Sequence, residues 1–171
     1  MLQLSTWALL AFGSLMSFNA MASEINISGR VIASPCQVDS GSVSQTIEFD
    51  QLRSTDLKTA GTASNWKNVA VKLINCPVST RQVTVTFDGT KSADDASLYA
   101  NQQAGGASNI ALQVAQQADT AKVQGPGSSM TAAVDTLHNA TFLLAGRLYS
   151  PGGNTMPGKF SSMVLLSMTY Q

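Results

Sequence analysis

Apolar residues recur at every second position along most of this 171-residue chain. A period of two belongs to strands with one face buried and one in water, because successive side chains leave opposite sides of the pleat. The pattern is plainest in "RQVTVTFDG", where Val83, Val85 and Phe87 alternate with Gln82, Thr84 and Thr86 before an Asp-Gly turn. "WKNVAVKLINCP" places Val69, Val71 and Leu73 on one face. "SNIALQVAQQ" does the same with Ile110, Leu112 and Val114, and "SVSQTIEF" carries Val43, then Ile47 and Phe49. "LHNATFLLAGRLYS" is a further strand running into the turn "PGGN".

Between these strands lie "GTKSADDAS", "NQQAGGAS" and "QGPGSSMT", which are loop-forming by composition. "STDLKTAGTASN" is the one segment whose residues admit a helical turn. Strands spaced about ten residues apart, with Gly and Pro between them, predict an all-β sandwich.

The two ends of the chain carry the same alternation in an unusual setting. In "GKFSSMVLLSMTYQ" one phase reads Phe160, Ser162, Val164, Leu166, Met168 and Tyr170, and the other holds Lys159, Ser161, Ser167 and Thr169. No proline, bulge signal or inward charge protects this strand between Phe160 and Gln171, and a bare margin is a template for another chain. Near the other end, "SEINISGRV" puts Ile25, Ile27, Gly29 and Val31 in one phase, ahead of the first cysteine.

Composition narrows the setting. The apolar run from Trp7 to about Phe18 ends in Ala20-Met21-Ala22, a small-x-small site, and is short of the roughly 20 residues a bilayer needs. Residues 1–22 therefore read as a secretory signal peptide, and residues 23–171 have the size of one domain. Export to an oxidising compartment with only Cys36 and Cys76 implies one intrachain disulfide. Net charge is zero and charged residues are 12%, so no electrostatic field recruits nucleic acid.

Catalytic and metal chemistry find little to work with. The single histidine, His138, could be drawn into a triad with Ser128 or Ser129 and Asp135, but no nucleophile elbow accompanies it. Two thiols and one histidine cannot furnish a zinc site. Asp94 and Asp95 read as a solvated turn, and "GGAS" and "GPGSS" lack the lysine and helix of a phosphate loop. The sequons at Asn26 and Asn139 are short enough to arise by chance. No catalytic residue, metal or cofactor is expected.

Several marks occur together and in order. They are the extension with Gly29 in phase, "ASPC" at Cys36, "NWKNVAVKLINCP" with Pro77 after Cys76, Gly158 fourteenth from the end, and Tyr170 penultimate on an alternating strand. In these the chain resembles the pilin subunits of chaperone-usher fimbriae, of the type 1 class.

The resemblance implies an incomplete immunoglobulin-like sandwich, residues 35–171, whose missing strand is donated by another chain. Residues 23–34 would be the donor extension, seated through Ile25, Ile27, Gly29 and Val31. The acceptor strand, which also binds the chaperone, would present Gly158, Phe160, Val164, Leu166, Met168 and Tyr170. The implied partners are a periplasmic pilus chaperone, an outer-membrane usher and neighbouring pilins in a head-to-tail polymer. The implied place is the cell-surface fimbrium, reached through the periplasm, and the short extension points to a minor or adaptor subunit. The rival reading is a single-domain secreted carbohydrate-binding module on the same sandwich. Aromatic residues at 6%, with no Trp and Tyr cluster, argue against it.

Overall fold

The computed structural model describes residues 28–29 and 35–171. The chain divides into two units, Met1–Arg30 and Val31–Gln171. Only Ser28 and Gly29 of the first are described, both exposed; Ile25, Ile27 and Val31 lie outside the described residues. The architecture that follows is that of the second unit.

Its strands are β1 (Gln37–Val38), β2 (Thr62–Ala63), β3 (Lys67–Ile74), β4 (Gln82–Asp88), β5 (Tyr99–Ala100), β6 (Ala111–Gln116), β7 (Asp119–Val123), β8 (Ser129–Ala133), β9 (Ala140–Ser150) and β10 (Leu165–Tyr170). They form two antiparallel sheets. The larger runs β1-β3-β9-β6-β5, with β2 also on β9 and β7 also on β6, and the smaller runs β10-β4-β8. The expected all-β sandwich is what forms. Among the described residues no helix is long and apolar enough to cross a membrane. The helical turn admitted by "STDL" is a short 3-10 turn at Ser54–Leu57.

Alternation explains which faces meet. In β4, Val83, Val85 and Phe87 are fully buried while Gln82, Thr86 and Asp88 are exposed. Opposite them stand Val71 and Leu73 of β3, Leu112 and Val114 of β6, and Phe142 and Leu144 of β9, in one core cluster with Tyr99. Strand β9 is buried on both faces over Leu144–Gly146 because it lies centrally, paired with β3 on one side and β6 on the other. Its even residues supply the core. A second cluster, Leu57, Ile110 and Leu148, closes the far end.

The Cys36–Cys76 disulfide forms, with the Cα atoms 4.2 Å apart and a sequence separation of 40. It fastens the start of the unit to the loop after β3. A crosslink over such a span removes unfolded-state entropy worth about 4 kcal/mol in the loop-closure treatment.

Three readings from the sequence change. "SVSQTIEF" alternates but forms no strand: Ser40–Ser42 is a 3-10 turn and residues 45–53 carry no regular structure. "QGPGSSMT" is only partly loop, since β8 begins at Ser129 and pairs with β4. The long last strand is laddered only over Leu165–Tyr170. Upstream, the chain bonds to a loop instead, through Gln102 N–H to Ser161 O (2.7 Å) and Ala107 N–H to Lys159 O (2.9 Å).

Candidate functional site

Strand β10 has one neighbour. Its ladder to β4 runs from Leu165↔Asp88 to Tyr170↔Val83, and its other edge carries no partner among the described residues. Side chains alternate along it without interruption. Phe160, Ser162, Val164, Leu166, Met168 and Tyr170 are half-buried, and Ser161, Met163, Leu165, Ser167 and Thr169 are exposed. The inward set is the predicted one. Yet none of it reaches the full burial of Val83, Val85 and Phe87, its partners on β4.

The reason is a groove of about 1310 Å3 that these side chains line. Val69 and Val71 of β3, Leu112 and Val114 of β6, and Leu144 and Leu148 of β9 form its floor. Its second wall is the segment 43–52, which contributes Ile47 and Phe49. The groove thus lies between two extended stretches of chain, over the core face of the larger sheet. The floor and the inward face of β10 are apolar, and an apolar groove left open to water is a candidate docking surface.

The backbone of β10 points the same way. Gln171 and Gln82 exchange both main-chain hydrogen bonds, each 3.0 Å. In an antiparallel ladder bonded and non-bonded pairs alternate, so Leu165, Ser167 and Thr169 bond to β4. Leu166, Met168 and Tyr170 then turn their N–H and C=O groups to the open edge. One set of residues therefore offers both apolar side chains and free main-chain groups, as an incoming strand requires. Burial against the wall also pushes the Tyr170 hydroxyl pKa upward.

The second wall is held loosely. Among the described residues no main-chain hydrogen bond to another main-chain group reaches residues 43–52. Side chains fasten it to β3 instead. Gln45 Nε2 donates to Ala70 O (2.8 Å), Lys72 N–H donates to Ser42 Oγ (2.9 Å), and Lys67 Nζ pairs with Asp50 Oδ2 (3.0 Å). The Lys67 contact holds the Asp50 carboxyl below its usual pKa.

Gly158 borders the groove and has a further duty at its mouth. A Cβ there would lie 2.6 Å from the carbonyl carbon of Gly106 and closer still to the Ala107 nitrogen. The lead into β10 packs backbone against backbone, and Asn101 fixes it. Asn101 Nδ2 donates to Lys159 O (3.0 Å) and its Oδ1 accepts from Ser161 N–H (2.9 Å). Sequence reasoning missed Asn101 and the groove floor. It recognised the floor residues as strand positions, and only the family resemblance, not their pattern, implied that a gap lay above them.

The paper triad is not assembled. Asp135 Oδ1 accepts from the main chain of Leu137 (2.9 Å) and Asn139 (2.8 Å), shaping a turn in which His138 adopts φ 60°. Ser128 bonds to Gln124 and its main chain pairs with Phe87, at the opposite end of the sandwich. Asp95 Oδ1 accepts from Ser97 N–H and Oγ–H, which lowers its pKa in an exposed turn, as the sequence suggested. Among the described residues no group of three or more His, Cys, Asp or Glu side chains is placed to hold a metal.

Comparison with known proteins gives a consistent result. A profile described as "Fimbrial protein" matches residues 25–171. Protein FimG of Escherichia coli (strain K12) is 35% identical over 164 residues, covering 95% of this chain and 93% of the relative. The crystal structure of a Burkholderia pseudomallei antigen and type I fimbria protein superposes with a TM-score of 0.60 at 25% identity, covering 81% of this chain and 90% of that one. The P pilus rod subunit PapA shares the fold, with a TM-score of 0.66 at 20% identity over 81% of this chain and all of PapA.

Proposed function

The chain belongs to the fimbrial protein family and is a structural subunit of a pilus, and from that premise we propose that it polymerises by strand donation through residues 23–34. One copy's extension fills the groove beside β10 of the next copy. The observation that carries this reading is the open edge at Leu166, Met168 and Tyr170, where apolar side chains and free main-chain groups coincide.

The energetics favour it. Ile25, Ile27 and Val31 would each contribute about 1.5 to 3 kcal/mol on burial. Gly29 would let the two backbones approach closely. Ordering the extension costs roughly 1 to 2 kcal/mol per residue, so tight binding needs most of it engaged. Strand addition of this kind is a known recognition mode of which pilins are an example. Donor and acceptor surfaces differ, so the contact is head-to-tail and grows as an open fibre.

The same groove explains the other partners. An uncovered margin of this length invites misassociation, so a periplasmic chaperone occupies it until the subunit reaches an outer-membrane usher. Residues 1–22 direct export and are removed, and the subunit ends in the surface appendage. The short extension suits a minor or adaptor position.

The test is thermal unfolding of the mature chain with and without the peptide SEINISGRV. Saturation at 100 times Kd stabilises the bound form by about 2.7 kcal/mol. A rise in Tm that Met168→Asp abolishes supports the proposal. Equal melting with and without peptide overturns it.

A further inference from the structure

The sandwich has two distinct ends. At one, Cys36 leaves the fold beside the β3–β4 loop, to which the disulfide ties it. Val78 on that loop is 81% exposed, and Leu137 on the β8–β9 loop is 77% exposed. Hydrogen bonds join the two loops, from Cys76 N–H to His138 O and from Val134 N–H to Arg81 O, both 2.9 Å. Asp135 fixes the turn that displays Leu137. Two large apolar side chains are therefore held in water on pre-organised loops at the root of the extension.

At the other end lies the groove mouth, where Phe160 enters the wall. Met156, 58% exposed, and Leu52, 41% exposed, both line the groove there. Met156 is anchored by a bridge to Ser108.

Reach decides how these ends relate in the polymer. The wall from Phe160 to Tyr170 spans about 33 Å at strand rise. Residues 23–34 extend at most about 40 Å. A filled groove leaves about 7 Å of slack, too little to hold two bodies apart. Pairing antiparallel to β10 is the more stable arrangement. It brings the carboxyl end of the extension, and Cys36 behind it, out beside Phe160. Parallel pairing would bring it out at Gln171 and set like ends together, which leads to a closed pair.

Resting on the strand-donation reading, we infer that successive copies make a second, body-to-body contact, in which Val78 and Leu137 of the donor cover the Met156 and Leu52 surface of the acceptor. The occupant of each patch is another copy of this chain. The contact makes the junction stiff and removes these four exposed apolar side chains from water.

The experiment places a benzophenone amino acid at position 78 in one sample of full-length mature chain and at position 166 in another. Each is assembled with isotope-labelled unmodified chain, irradiated and mapped by mass spectrometry. Crosslinks from 78 to residues 52, 101–107 or 156–158 of the other copy are expected. Crosslinks from 78 to 78 or 137 of the other copy overturn the polarity and the proposal. If 166 captures residues 23–34 while 78 captures nothing, strand donation stands and the body contact falls. If 78 reaches 156 while 166 captures no extension, the contact stands and the strand reading falls. Silence at both overturns both. The doubly substituted Val78→Asp, Leu137→Asp chain should keep its monomer Tm and dissociate from its neighbour roughly tenfold faster; an unchanged rate contradicts the proposal.

Discussion

Strands β4 and β10 share one ladder and one alternation, yet they sit in different environments. Val83, Val85 and Phe87 of β4 are fully buried, whereas Leu166, Met168 and Tyr170 opposite them are only half-buried. The side chains are of comparable size and hydrophobicity. What differs is the neighbour: among the described residues β4 has strands on both sides, and β10 has one. Alternation therefore reports which face of a strand is apolar, while completeness of burial depends on whether the next strand exists.

The largest effect should come from Phe87→Ala. Loss of a fully buried aromatic costs about 3 to 5 kcal/mol, and urea unfolding should give that loss whether or not donor peptide is present. Leu166→Ala should behave oppositely. In the free chain its cost should be under about 1.5 kcal/mol, since the side chain is already half in water, rising to about 2 to 5 kcal/mol once a bound peptide buries it. Equal costs at the two positions in the free chain would mean that β10 is as enclosed as β4.

Gly158→Ala should follow, at about 1 to 3 kcal/mol. The new methyl meets the backbone of Gly106 and Ala107, which cannot step aside as a flexible side chain would. Calorimetry should show the lower Tm, and peptide affinity should fall with it because the lead into β10 moves.

The smallest effect concerns the second wall. Lys67 holds the Asp50 carboxyl below its ordinary value of 3.8. A depressed carboxylate contributes above its unfolded pKa and stops contributing as pH falls through the folded value. Lys67→Met should therefore lower Tm slightly at neutral pH, and the difference from the parent should shrink as pH falls below 3.8 and through the lowered folded value. At this exposed pair the effect is small and weakens further with salt.

Much of this was legible in the sequence. The apolar phase gave strands and inward faces correctly over 83–87, 112–114 and 166–170, because period two is a local property. The two cysteines sufficed for the disulfide. Pairing was less legible, because it belongs to neighbours. Residues 43–49 alternate like a strand, but among the described residues no ladder reaches them and they become a groove wall. Strand β7 has no apolar phase, with four of its five positions exposed, and nothing in "DTAKV" announces it. Strand β8 was hidden because Met130 and Ala132, its inward residues, follow a Gly-Pro-Gly turn. Gly158 was singled out by its place in the sequence, but the close backbone contact that forbids a side chain there could be seen only in three dimensions.

Amide hydrogen exchange, read residue by residue along β10, tests the open margin most directly. In mature chain without donor, the amides of Ser167 and Thr169 should be protected by β4 while those of Leu166, Met168 and Tyr170 exchange rapidly. Saturating SEINISGRV should slow these three and leave Ser167 and Thr169 little changed. If the peptide leaves Leu166, Met168 and Tyr170 exchanging as before, the margin is not where a strand is received.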